Sequence, residues 1–195
     1  SRERQAALTL HETRDRLIRR RTVPIDALRG RLHEFGVVVA KGASGAKKAV
    51  AVVSDDTEEL PALARASLRA PAGQLATLEA EIAGLERRIL AWHRANETSR
   101  RLATIPGVGP ITATAIAASV PDPSQFRSGW QFATWLGPTP RACSSGGKER
   151  QAGISKMGDG YIRRLPVVGA TAMLRRSEEH TSELQSLLVS RMPCS

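Results

Sequence analysis

The sequence predicts a mostly α fold, a helical hairpin or coiled-coil arm followed by a compact helical domain, and three observations carry that expectation. Aromatic residues make up only 4% of the chain, and a large β-sandwich draws on more aromatic and β-branched residues than that. Alanine, leucine and arginine fill long stretches, and all three favour helix. Leu75, Leu78, Ile82, Leu85, Ile89 and Trp92 alternate spacings of three and four. That spacing puts them on one seam of a helix, as at coiled-coil a and d positions.

Taken in order, the segment from Arg4 to Phe35 is rich in charge and leucine, with Leu28, Leu32 and Phe35 at helical spacing. Pro24 lacks an amide donor and crowds the preceding turn, so two helices are predicted here, the second closed by Gly36. The run Arg14, Arg16, Arg19, Arg20, Arg21 suits either a phosphate backbone or an ordinary solvated helix face. Lys41 to Lys48 has the composition of a linker. Leu60-Pro61 is expected to open a short helix that ends near Ala70-Pro71. The seam follows, flanked by Glu79, Glu81, Glu86, Arg87 and Arg88. It can pair with a second copy of the chain or pack antiparallel against Leu28, Leu32 and Phe35, and the sequence leaves both open.

Charge points to the partner. The net charge is +10 and the pI about 10.9, a balance that attracts polyanions and gains from counterion release. Apolar and charged fractions of 41% and 25% are those of a globular chain. The two cysteines, Cys143 and Cys194, argue against a disulfide scaffold and fit a reducing cytoplasm. No run of about 18 apolar residues suggests a membrane span. Ser1-Arg2-Glu3-Arg4 has no signal-peptide pattern, and without an initiator methionine the chain is expected to begin mid-protein.

Three motifs carry chemistry. Ile105-Pro106-Gly107-Val108-Gly109-Pro110 reads as a tight turn between two helices, similar to a helix-hairpin-helix. Gly107 and Gly109 allow close approach, and the next helix offers free amides to a phosphate oxygen. Such a contact positions DNA without reading bases; the same pattern also makes a plain core hairpin. The second motif is Arg141-Ala142-Cys143-Ser144-Ser145-Gly146-Gly147-Lys148-Glu149-Arg150. A serine that attacks a phosphodiester needs exposure, close approach and positive charge for the phosphorane. The glycines and Arg141, Lys148 and Arg150 supply the last two, although Ser-Ser-Gly-Gly is also a common flexible loop. The third is Gly153-Ile154-Ser155-Lys156-Met157-Gly158-Asp159 leading to Arg163 and Arg164. It reads as a second phosphate clamp through Lys156, Arg163 and Arg164, or as a turn with Asp159 capping a helix.

The order of these motifs, with Phe132-Ala133-Thr134-Trp135-Leu136-Gly137-Pro138-Thr139-Pro140-Arg141 between the first and second, resembles one family. It is that of the DEDD-type transposases of bacterial insertion sequences, the "IS-one-ten" group, relatives of the Piv DNA invertases. The resemblance covers Arg101 to Arg175 closely and Leu10 to Phe35 loosely. It implies a DNA-cleaving transposase with a serine nucleophile, which falls on Ser145 with Ser144 as the alternative. It implies DNA-binding roles for Gly107, Gly109, Arg141, Lys148, Arg150, Lys156, Arg163 and Arg164. It also implies a RuvC-like acidic domain outside this chain that holds a divalent metal such as magnesium, no cofactor within the chain itself, and an element-encoded guide RNA as partner. A homo-oligomer formed through the coiled-coil region and a bacterial cytoplasmic, nucleoid-associated location are expected as well. The chain alone is then expected to be inactive.

On this reading residues 1–73 are an interdomain helical region with a linker, 74–100 a coiled-coil-like helix and 101–176 the serine domain. Residues 177–195 resemble a translated sequencing adapter, Ser177-Glu178-Glu179-His180-Thr181-Ser182-Glu183-Leu184-Gln185-Ser186, and are expected to be an artefactual tail. Pro166 and the Ala142-Cys143 pair depart from the family pattern, and Pro166 is expected to disturb the last helix. The rival functions are a non-catalytic helix-hairpin-helix module for repair or recombination, and a coiled-coil assembly protein.

Overall fold

A computed structural model describes residues 1–55, 60–142 and 151–190. It is mostly α, as the sequence predicts. Its elements are α1 (Arg2–Glu34), α2 (Ala43–Ser54), α3 (Ala62–Ala95), α4 (Glu97–Leu102), α5 (Pro110–Ser119), a 3-10 turn (Pro123–Gln125), α6 (Gly129–Leu136), β1 (Pro140–Ala142), β2 (Gln151–Ile154) and α7 (Gly160–Ser190). Among the described residues no helix is long and apolar enough to cross a membrane. The chain divides into one unit of residues 9–88 and another formed by residues 1–8 and 89–195.

In the unit of residues 9–88, α1 and α3 lie antiparallel. The Arg14 guanidinium donates through Nη2 (2.6 Å) and Nε (2.9 Å) to one oxygen of Glu86. Leu28 and Leu32 share a buried cluster with Leu68, Ala72 and Leu75, and α2 fills it with Ala46, Ala49 and Val53. The seam read from the sequence therefore faces inward: Leu75, Ile82 and Ile89 are buried within the chain. Leu78, Leu85 and Trp92 of the same seam are half-buried.

Several local expectations fail here, those on the two prolines for one reason. Pro24 does not split α1, Pro71 does not end the helix before the seam, and both prolines lie inside continuous helices. The supposed linker at Lys41 to Lys48 enters α2. A proline inside a helix costs about 3 kcal/mol, which burial of several leucines on the same helix outweighs, at about 1.5–3 kcal/mol each. Gly36 does close α1: at φ +80° it donates to His33 O while Val37 donates back to Leu32 O, a Schellman closure.

In the other unit, Asn96 interrupts the helical path. Its side chain accepts from the Ser99 amide at 2.8 Å and starts α4, while the buried Ser99 hydroxyl meets His93 Nδ1 at 2.8 Å. Arg4 reaches the Pro121 carbonyl at 2.9 Å. The alanines of α5 let neighbours approach, so Thr112, Ala113, Thr114, Ala115, Ala117 and Ala118 are buried. Ser128 and Gln131 cap α6: the Ser128 hydroxyl accepts from the Gln131 amide, and Gln131 Oε1 accepts from the Arg127 amide. Gly137 at φ +84° ends it.

The sequence reading held no strand in this region. The structure pairs β1 with β2 antiparallel, Pro140 opposite Ile154 and Ala142 opposite Gln151. Pro166 lies within α7 and does not stop it.

Candidate nucleic-acid interface

The Pro-Gly-Val-Gly segment forms the predicted turn between α4 and α5. Gly107 adopts φ +81°, and Val108 donates to Ile105 O at 3.0 Å. Its tightness serves packing as much as any ligand. A Cβ on Gly169 of α7 would run into the Gly107 carbonyl oxygen, and a Cβ on Gly107 would stand 3.3 Å from Gly169 O and from Met173 Cγ. Gly107 is thus a seat for α7. Gly109 is exposed and forms the N-cap of α5 with no side-chain cap, followed by Pro110. Pro110 has no N–H to satisfy, so the first turn of α5 presents its amides uncapped by any side chain.

Ser144, Ser145, Lys148 and Arg150 lie outside the described residues. Their anchors are defined. The strand register sets Ala142 beside Gln151, and the chain from 143 to 150 connects them. The base of this hairpin is bonded on several sides. The Ser155 amide donates to Thr139 O at 2.8 Å and the Lys156 amide to Gly137 O at 3.1 Å. The Arg141 guanidinium donates to Ser155 O at 2.8 Å, and Ser155 Oγ donates to Gly137 O at 3.3 Å.

Of the basic residues singled out from sequence, Arg141, Lys156 and Arg163 come together at this joint. Arg163 is half-buried and donates to Leu136 O at 3.4 Å and Gly158 O at 3.2 Å. It closes the C-terminal end of α6, where a cation is favoured by the helix dipole. Lys156 is exposed and holds φ +57°. Arg164 is exposed, with its guanidinium 5.6 Å from the centre of the Tyr161 ring. Asp159 caps α7, accepting from the Tyr161 amide at 2.7 Å and the Ile162 amide at 3.2 Å, the second of the two roles open to it.

Sequence reasoning missed α6 and its aromatic cluster. Phe126, Phe132 and Trp135 pack ring to ring with centroids 5.3 to 5.8 Å apart. The Ser-x-x-Gln cap was the available signal. Among the described residues no three His, Cys, Asp or Glu side chains come together as metal ligands would. The described residues therefore do not fit a divalent metal.

By fold and site, this is a mostly α protein with a helical hairpin in one unit and, in the other, a pair of short antiparallel strands set among short helices and cations. Residues 99–185 match the model of the transposase IS116/IS110/IS902 family. It is 42% identical over 197 residues to a Pseudomonas aeruginosa protein named "Probable family 20 transposase", with 98% of this chain and 58% of that protein covered. It is 40% identical over 196 residues to "Putative transposase y4pF/y4sB" of Sinorhizobium fredii, covering 98% and 50%. It is 36% identical over 183 residues to the transposase for insertion sequence element IS1111A of Coxiella burnetii, covering 93% and 50%. The chain spans about half the length of these relatives. The family match extends past Arg176 into the segment expected to be foreign.

Proposed function

We propose that this chain is the DNA-handling portion of an insertion-sequence transposase that breaks and rejoins strands through a serine hydroxyl. One observation carries the reading. The antiparallel register of β1 and β2 brackets the Ser144-Ser145 segment, and Arg141 and Lys156 stand at its base. The reading rests on those braced ends, between which the two serines lie in sequence. Ser145 Oγ forms the bond to phosphorus, the strand's own P–O bond breaks, and the hydroxyl proton leaves to a base. Arg141, Lys148, Arg150 and Lys156 lower the cost of charge on the phosphorane, but arginine and lysine cations accept no proton. The base, and the divalent metal expected of this family, belong to the half of such proteins that this chain does not span. The DNA backbone also meets the exposed Gly109 and the uncapped start of α5. An element-encoded RNA brings donor and target DNA together.

The test is a covalent-adduct assay. The chain is supplied with the remaining half of a full-length relative, magnesium and the element's RNA. Ser145→Ala abolishes the protein–DNA adduct and leaves DNA affinity nearly unchanged. An adduct lost only in Ser144→Ala moves the nucleophile by one residue. An adduct that survives both substitutions removes the serine mechanism.

A further inference from the structure

Helix α6 has two faces of different character. Phe132 faces inward with Phe126 beneath it. The rest of the helix surface is an arc about 140° wide, by 3.6 residues per turn, that runs from Trp130 through Thr134 and Gln131 to Trp135 beside Phe132, all four of its residues exposed. Trp130 is 69% exposed and Trp135 40%. Two tryptophans exposed on one short helix call for a partner.

The two rings are prepared differently. Trp135 is held: it stacks on Phe132 at 5.8 Å with an interplanar angle of 26° and leans on Phe126 at 5.6 Å. The Trp130 ring has no hydrogen bond or ring partner among the described residues. Its carbonyl alone is engaged, by Thr134 Oγ1 at 2.9 Å.

The charge around this face has one sign. Among the described residues between Asp122 and Asp159 in sequence there is no acid, against Arg127, Arg141 and Lys156. Arg127, exposed, precedes α6 and is tied to it through Gln131 at 2.7 Å. Lys156, exposed, is tied to the residue that ends it. Two cations thus bracket a helix about 12 Å long. Flat rings between fixed cations match a strand whose bases are unpaired: the phosphates meet the cations and a base lies on the indole.

We propose that the α6 face of Trp130 and Trp135, bracketed by Arg127 and Lys156, is a stacking platform for unpaired bases of a single-stranded nucleic acid. This rests on the nucleic-acid reading above and adds to it a surface that takes bases as well as backbone. A protein partner would use the tryptophans but has no need of a cation at each end of the helix, and duplex DNA would use the cations but offers no free base face.

The full chain is titrated with labelled oligothymidylate, with an abasic deoxyribose-phosphate strand of the same length, and with a duplex. The abasic strand carries the same charge and no base. The unsubstituted chain binds oligothymidylate about tenfold tighter than the abasic strand, the order of one stacked base. Trp130→Ala erases most of that preference and leaves the salt dependence of binding unchanged, while Trp130→Phe keeps most of it. Equal affinity for the two strands, or a preference that survives Trp130→Ala, overturns the platform. So does a change in oligomeric state on Trp130→Ala without nucleic acid, which would make this face a protein contact. Salt-sensitive duplex binding with no base preference sinks the platform alone. Absence of binding to all three probes sinks both readings.

Discussion

Adding side chain at Gly169 separates the cost of close packing from the gain in helix propensity. Gly169 lies inside α7, where replacing glycine by alanine stabilises an unobstructed helix by about 0.5–1 kcal/mol. The new Cβ would collide with the Gly107 carbonyl oxygen, which is backbone and cannot rotate aside. Overpacking of this kind costs about 1–3 kcal/mol. Gly169→Ala is therefore expected to destabilise by about 0–2.5 kcal/mol. Leucine has nearly alanine's helix propensity but adds three more carbons, so Gly169→Leu is expected to cost clearly more. Urea unfolding followed by tryptophan fluorescence is the assay, since Trp92, Trp130 and Trp135 all lie in the unit that contains Gly169. If alanine and leucine both raise the midpoint, the turn does not rest on α7 and the reasoning is wrong.

Two further outcomes follow from buried groups. Burial and the nearby Arg14 charge lower the His11 pKa from 6.5 to about 4, so His11 is neutral in the fold at pH 7. The unfolded chain takes up its proton first, so stability is full above pH 6.5 and falls as pH drops toward 4, by up to about 3 kcal/mol. His11→Gln should remove that part of the acid-side loss in a series of urea titrations across this range. Arg163→Ala leaves two carbonyls without their shared donor and should cost about 1 kcal/mol, while lowering DNA affinity less than Lys156→Ala does; the reverse order in a binding titration would make Arg163 a phosphate contact after all.

Much of the fold was legible because periodicity is a long-range signal. The seam from Leu75 to Trp92 needed no structure, but its partner did: the sequence left a second copy and Leu28 and Leu32 equally open, and only the fold puts Leu28 and Leu32 in one cluster with Leu75. The prolines misled because their cost is local and the core that outweighs it is not. The strands were hidden for the opposite reason: β1 and β2 are too short for an alternating pattern, and their pairing depends on Gly137 and Ser155, distant in sequence. At the candidate site the residue types were readable and their division of labour was not. Nothing in the sequence distinguishes Arg163, spent on two carbonyls, from exposed Arg164, or Gly107, pressed against Gly169, from Gly109. These differences arise only when α7 is laid on the turn.

The braced base of the β-hairpin has a practical side for anyone redesigning the molecule. Its two ends are joined by backbone pairing and fixed to α6 by carbonyls and amides, so the closure of residues 143–150 is already imposed by the rest of the unit. Doubling the length of such a connection costs only about 0.6 kcal/mol. Extra residues, a reporter peptide or a randomised library can therefore be spliced between Ala142 and Gln151 with little loss of stability, whereas a single methyl group at Gly137 or Gly158, where a Cβ would press on neighbouring backbone, would loosen the mount itself.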